Sequence, residues 1–387
     1  MAAARVVLPG PPRRRNRKEV IMPEMTPRER VLAFLRHEEP DRVPWVENDI
    51  EEEIQVNIMG GSEFEPADLC KKLGMDGFGY HFPKGMGATA GQSMQSTESF
   101  AQDYYYPKKI TFDFVPPWIA DMGTDPDTGR AYIKRGLLTS RESLELFDKF
   151  LPDPDHPARY EQVARWIKEY RGEYAVFCRI RLGTASTLES IGLDVFGLML
   201  YDDPDLVHEI HSRFSAWSAR VVKHLNELDI DFIWANDDVA GNNGPFMSPK
   251  VFRQFFLPHM KTVAQEIKKP WIYHSDGDLF PVLPDLITLG MNAVHPIQPA
   301  AMDINRMKRE YGSRVGITGN IDLDYTLTQG TPEEVDAEVK ERIRVVGAGG
   351  GYMISSANSI TNYCKPENVL AMADAVRKYG RYPLNLD

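Results

Sequence analysis

The chain has 387 residues, of which 42% are hydrophobic and 26% charged, with a formal net charge of −11. That is enough apolar material for one large α/β domain or two ordinary ones, and the acidic balance argues against a surface for nucleic-acid phosphates. No apolar run of about 18 residues occurs, so no membrane-spanning helix is expected. Cys70, Cys178 and Cys364 lie far apart without metal-type spacing, which suits reduced thiols in a cytoplasmic protein.

Residues 1–24 differ from the rest. Arg13-Arg14-Arg15-Asn16-Arg17-Lys18 follows a Pro-rich stretch without a secretory apolar core, and is read as a disordered basic extension. Residues 25–387 are expected to form a single domain. Thr26-Pro27-Arg28-Glu29 announces a helix through a capping box with Pro at the first helical position. The same pattern recurs at Thr331-Pro332-Glu333-Glu334, and Ser248-Pro249 opens a helix whose Phe252, Phe255 and Phe256 form a stripe suited to packing on a sheet.

Eight short apolar runs alternate with segments long enough for helices: Val43–Val46, Met75–Tyr80, Tyr174–Ile180, Asp231–Ala235, Pro270–Tyr273, Ala293–Ile297, Val315–Thr318 and Tyr352–Ile354. This rhythm predicts a closed (β/α)₈ barrel of TIM type. No Gly-x-Gly-x-x-Gly follows an early strand, which removes the dinucleotide-binding reading. The stretch from about 82 to 173 exceeds what one βα unit needs. Its Gly85-Met86-Gly87 and Tyr104-Tyr105-Tyr106 predict an inserted segment after the second strand, with strands near 108–115 and 130–135.

In such a barrel chemistry sits at the carboxyl ends of the strands. Those ends supply Glu47 and Asn48, His81, Arg179 and Arg181, Asp237 and Asp238, His274 and Asp276, His295 and Gln298, Asn320, and Asn358. His274 and Asp276 are two apart, hence on one face if strand geometry persists, where an imidazole beside a carboxylate can bind a metal or move a proton. The plainer alternative is a structural His bonded to a turn-capping Asp. Asp237 and Asp238 are read as catalytic candidates together with Asp276. Arg179 and Arg181 are read as anchors for an anionic substrate group, with a structural ion pair as the alternative. His208, His211 and His224 are expected in solvent, on a polar helical stretch, and Cys364 as inert.

Several segments, in order, resemble landmarks of uroporphyrinogen decarboxylase-like proteins. They are Met25-Thr26-Pro27-Arg28-Glu29-Arg30-Val31, His37-Glu38-Glu39-Pro40-Asp41-Arg42-Val43-Pro44, Tyr201-Asp202-Asp203-Pro204-Asp205-Leu206-Val207, Ser248-Pro249-Lys250-Val251-Phe252, Gly319-Asn320-Ile321-Asp322 and Pro366-Glu367-Asn368-Val369. The resemblance implies a (β/α)₈ barrel. It departs from true uroporphyrinogen decarboxylases in two places. Their Arg-rich motif after the first strand is replaced by Glu47-Asn48-Asp49-Ile50-Glu51-Glu52-Glu53, which would repel a polyanionic porphyrinogen, and Ala357-Asn358-Ser359 stands near where they carry Gly-His-Gly.

The other branch that the chain resembles is the zinc-dependent methyltransferases that pass a methyl group to a corrinoid protein. Their His-x-Cys and distant Cys would fall here on His274, Asp276 and the neighbourhood of Ser356 or Asn358, so oxygen ligands replace thiolates. The resemblance implies a divalent metal, zinc by analogy, on His274 and Asp276, completed by Asp238, Glu47 or Asn358. The expected activity is methyl transfer from a small O- or N-methylated donor to a corrinoid carried by a partner protein. Glu47, Asn48, His81, Arg179, Arg181, His295, Gln298, Asn320 and Asn358 are expected to bind substrate. The alternatives are a metal-free decarboxylase or lyase acting on a small carboxylated substrate, and a non-catalytic binding barrel. A homo-oligomer is allowed; nucleic acid and membrane partners are not expected.

Overall fold

Seven strands lie side by side in one parallel sheet in the order β1 (Gly77–His81), β4 (Ala175–Ile180), β5 (Phe232–Asn236), β8 (Trp271–His274), β9 (Ala293–His295), β10 (Gly316–Thr318) and β11 (Tyr352–Met353). Two antiparallel hairpins stand apart from it, β2 (Ala120–Thr124) with β3 (Ala131–Gly136), and β6 (Ala240–Gly241) with β7 (Gly244–Pro245). The computed structural model describes residues 24–81, 120–124, 126, 131–151 and 153–384. Apart from Glu24, the expected basic extension lies outside the described residues, as do Gly85-Met86-Gly87, Tyr104-Tyr105-Tyr106 and the strand expected at 108–115. The strand expected at 130–135 coincides with β3.

The sheet closes on itself through the Val43–Val46 segment, the first of the eight runs. Trp45 makes a parallel bridge to Ile354, just beyond β11. Ile354 N–H donates to Pro44 O at 2.9 Å and Val46 N–H to Ile354 O at 3.4 Å, while on the other side Asp76 N–H donates to Trp45 O at 2.8 Å. All eight apolar runs therefore occupy barrel positions, although Pro44 and the sparse bonding keep the first from being a regular strand.

Helix Pro27–Leu35 begins at the predicted capping box on Thr26 and Glu29. Its Val31, Phe34 and Leu35 pack in one cluster with Val46, Ala175, Phe177, Phe232, Trp234, Ile272, Ala293 and Met353, which are the inward residues of the barrel. The helix thus plugs the amino end, and the lumen is a solid core there. Outward residues such as Cys178, Ile233, Tyr273 and Val294 pack in the larger cluster beneath the surrounding helices. Phe252, Phe255 and Phe256 are buried, as the stripe predicted, in a short π-helical turn, Phe252–Phe256. His211 corrects its expectation. It is fully buried, because its position on helix Pro204–Glu227 faces the sheet layer and its ring packs 5.1 Å from Phe256. Among the described residues no helix is long and apolar enough to cross a membrane.

The closing segment is held by Asp76, which is completely buried at the start of β1. Its carboxylate accepts from Trp45 N–H at 2.8 Å, from Arg42 Nη1 and Nη2 at 2.8 Å each and from Arg30 Nη1 at 3.1 Å. Removing it strips Arg42 of its carboxylate partner, leaves Arg30 with Asp41 alone, and frees the first strand. Asp76→Ala is expected to lose ~3–5 kcal/mol of stability in urea unfolding, as breaking a buried ion pair does. A loss below about 1 kcal/mol, the range of surface pairs, would show that the clasp does not hold the barrel.

Candidate active site

Alternation along the strands sorts the strand-end residues into two sets. On β5 the inward residues are Phe232 and Trp234, so Asn236 and Asp238 continue inward while Asp237 turns outward. On β8, Ile272 is inward, and His274 and Asp276 follow it. Register pairs Asn236 with His274 and His274 with His295, which puts the three at one level of the mouth.

The centre is formed by His274, Asp238 and Asp276, whose ligand-type atoms lie within 4.8 Å of one another. His274 Nε2 is 3.7 Å from Asp238 Oδ1 and 3.9 Å from Asp276 Oδ1, too far for hydrogen bonds. Asp238 is anchored by Asp276 N–H, which donates to its Oδ1 at 3.0 Å. Asp276 Oδ2 accepts from Asn358 Nδ2 at 2.6 Å. Asp276 Oδ1 is enclosed and has no hydrogen-bond partner among the described residues. Burial, and then the neighbouring Asp238 carboxylate, push the Asp276 carboxyl well above the usual carboxylate range. Burial holds the His274 imidazole below its ordinary pKa. Gly277 permits this turn: its φ is +84°, and a Cβ there would stand 2.5 Å from Gly241 O on the β6–β7 hairpin.

Behind His274 sits His295, with no exposed surface, the two Nδ1 atoms 2.6 Å apart. His295 Nε2 faces Ser356 O at 3.4 Å, and the Trp234 ring meets its ring edge-on at 4.9 Å. Burial, then His274, hold the His295 imidazole far below its ordinary pKa. His295, expected to contact substrate, is thus placed behind His274 and fully buried.

The catalytic candidate Asp237 and several expected substrate contacts also have partners within the fold. Asp237, fully buried, accepts from the backbone N–H groups of Gly183, Thr184 and Ala185 at 3.2, 3.1 and 3.0 Å, and so caps helix Thr184–Ile191. Burial pushes its carboxyl up to about 6. Arg179 pairs with Asp49 at 3.3 Å, and burial lowers its guanidinium to about 10. Arg181 pairs with Glu189 at 2.6 Å. Both arginines are thus paired as the structural alternative described. Asn48 turns inward and accepts from Asn236 Nδ2 at 3.3 Å. Gln298 Oε1 accepts from Gly277 N–H at 2.8 Å, and Asn320 donates to Ile297 O at 2.6 Å. His81 ends β1, and its side chain lies outside the described residues.

Glu47 is two residues from Trp45 and shares its outward direction, so it lies in the barrel wall rather than beside His274. It accepts from Trp45 Nε1 at 2.6 Å, Ser356 Oγ at 2.7 Å and Ser356 N–H at 3.0 Å. Ser356 thus ties Glu47 on one side and His295 on the other. The resemblance marks Ser356 only as a neighbour of the place where the distant Cys would fall; the i, i+2 spacing of Trp45 and Glu47 is the one local signal of this network.

Burial raises the Glu47 carboxyl to about 7, against the pull of the Trp45 and Ser356 hydrogen bonds. A carboxyl whose folded pKa exceeds its unfolded value keeps its proton in the native state after the unfolded chain has lost it. Its contribution is therefore full below the unfolded pKa and is lost as pH rises from about 4.5 to about 7. The loss is on the order of 3 kcal/mol. Urea unfolding at pH 5 and pH 8 should show a smaller decline in Glu47→Gln than in wild type by roughly that amount. Equal declines would mean that Glu47 does not carry it.

A family profile described as uroporphyrinogen decarboxylase (URO-D) matches residues 140–379. Among curated proteins the chain is 28% identical over 192 residues to the uroporphyrinogen decarboxylase of Dechloromonas aromatica, covering 47% of this chain and 51% of that one. It is 26% identical over 259 residues to that of Nitrosomonas europaea, covering 61% and 68%. The chain thus spans about half the length of the first of these relatives. Among solved structures, a methyltransferase from Methanosarcina mazei shares the fold, with a TM-score of 0.64 and 17% identity over 92% of this chain and 99% of that one. With eight strand positions closed into a ring and a family profile running from residue 140 to the last helix, the chain belongs to the uroporphyrinogen decarboxylase (URO-D) family.

Proposed function

We propose that this protein is a methyltransferase that moves a methyl group from a small O- or N-methylated donor to a corrinoid carried on a partner protein. Asp238, His274 and Asp276 would hold a divalent metal, zinc by preference. One observation carries the reading: a ring nitrogen and two side-chain carboxylates converge without bonding one another, and Asp276 Oδ1 is enclosed and has no hydrogen-bond partner among the described residues. Such groups repel unless a cation or proton lies between them. One imidazole and two carboxylates are a donor set that zinc accepts. Bound there, the ion would act as a Lewis acid on the donor's ether oxygen or amine nitrogen.

The surrounding residues have positioning work. Asn358 orients Asp276, and the Asp276 amide orients Asp238. With Arg179 and Arg181 neutralised by Asp49 and Glu189, the described mouth favours an uncharged or cationic donor over a carboxylate. We also place the protein in the cytoplasm, since all three cysteines are buried free thiols.

A second reading, metal-free decarboxylation of a small carboxylated substrate, is favoured by the curated relatives and by the upward shift that burial and Asp238 impose on the Asp276 carboxyl. Metal analysis separates the two. The purified protein is expected to carry or take up about one zinc equivalent, as a single site requires, and His274→Ala to lose it together with methyl transfer. A wild-type protein that neither carries nor binds a divalent metal removes the first reading. Decarboxylation that survives exhaustive chelation installs the second.

A further inference from the structure

The pairing of His274 with His295 bears on how the first of these residues meets a metal. Two ring nitrogens 2.6 Å apart share one proton, so one Nδ1 donates and the other accepts. Which one donates is set at the far side of His295. There Nε2 faces the Ser356 carbonyl oxygen at 3.4 Å, and a carbonyl can only accept. The proton of His295 therefore belongs on Nε2, leaving its Nδ1 as the acceptor. His274 must then donate from Nδ1, and its Nε2 is left bare, directed toward Asp238 and Asp276. The opposite arrangement would turn a bare His295 nitrogen on a carbonyl lone pair, with no other donor described at that nitrogen; the Ser356 carbonyl also accepts from Ser355 Oγ at 3.0 Å, and its second lone pair remains for His295.

We propose that His295 is a positioning residue: it accepts the Nδ1 proton of His274 and so fixes the tautomer whose Nε2 lone pair is available to a divalent cation. The Ser356 carbonyl sets the polarity of the chain, and the Trp234 ring, edge-on at 4.9 Å and 88°, holds the plane of His295. Metal-ligating histidines commonly gain ligand basicity from such a partner, which is usually a carboxylate, a carbonyl or water; here a second imidazole fills the place. The inference rests on the metal reading of the same site.

Two substitutions separate the acceptor from the shape. In His295→Asn the side-chain oxygen falls near the position of Nδ1 and can accept from His274; in His295→Leu nothing can. Zinc affinity, measured by competition with a chromophoric chelator on chains of matched melting temperature, is expected to fall about 10–100-fold in His295→Leu and to stay within a few-fold of wild type in His295→Asn. Equal affinity in all three, or an equal loss in both variants, overturns the proposal. Should His295→Leu fail to fold, ¹⁵N-histidine spectra of zinc-loaded wild type decide: His274 metallated at Nε2 with a protonated Nδ1 supports it, and metal at Nδ1 refutes it. A wild type that binds no zinc in the same assay removes the metal reading instead, so the two failures are told apart.

Discussion

A buried carboxylate holds this barrel shut. Seven strands make a curved parallel sheet, but its two edges meet only through Val43–Val46, a segment that contains a proline and makes few ladder bonds. Asp76 compensates by fixing the Trp45 amide and drawing Arg30 and Arg42 around it. Taking that charge out of water is costly, and two guanidinium groups with a backbone donor offset the cost. The closing segment then carries Glu47 into the wall, where it meets Ser356, and Asn48 and Asp49 to the mouth, where they meet Asn236 and Arg179 respectively. Closure of the fold and assembly of the mouth thus share one set of bonds.

The period of two along a strand then assigns the work. Asp237 and Asp238 are neighbours with the same side chain, yet one faces the helix layer and caps Thr184–Ile191 while the other faces His274. Glu47 and Asn48 divide in the same way, Glu47 into the wall and Asn48 into the mouth. Adjacent acidic residues at a strand end therefore cannot be treated as interchangeable candidates.

Charge balance distinguishes the centre from its surroundings. Around it, ionised groups are paired: Arg179 with Asp49 and Arg181 with Glu189. At the centre two carboxylates face an imidazole that burial keeps neutral, and no described cation answers them. That excess of lone pairs in a low-dielectric setting is the electrostatic basis for placing a cation there.

The eight barrel positions were legible in the sequence because buried parallel strands are continuous apolar runs, and the capping boxes at Thr26 and Thr331 because their signals are local. His274 and Asp276 could be placed on one face from their spacing alone. Which strand end supplies the third group, Asp238, depends on the register of β5 with β8, and that no local pattern encodes. The arginines were ambiguous for the same reason: Asp49 lies 130 residues from Arg179 along the chain, as its number shows. His295 looked like a mouth residue until the adjacency of β8 and β9 put it behind His274. Sequence by itself determined the elements and the residue types at their ends, since those follow from periodicity and local hydrogen bonding. Only the tertiary structure decided which ends meet, because partners distant in sequence set each side chain's charge balance and hydrogen bonds.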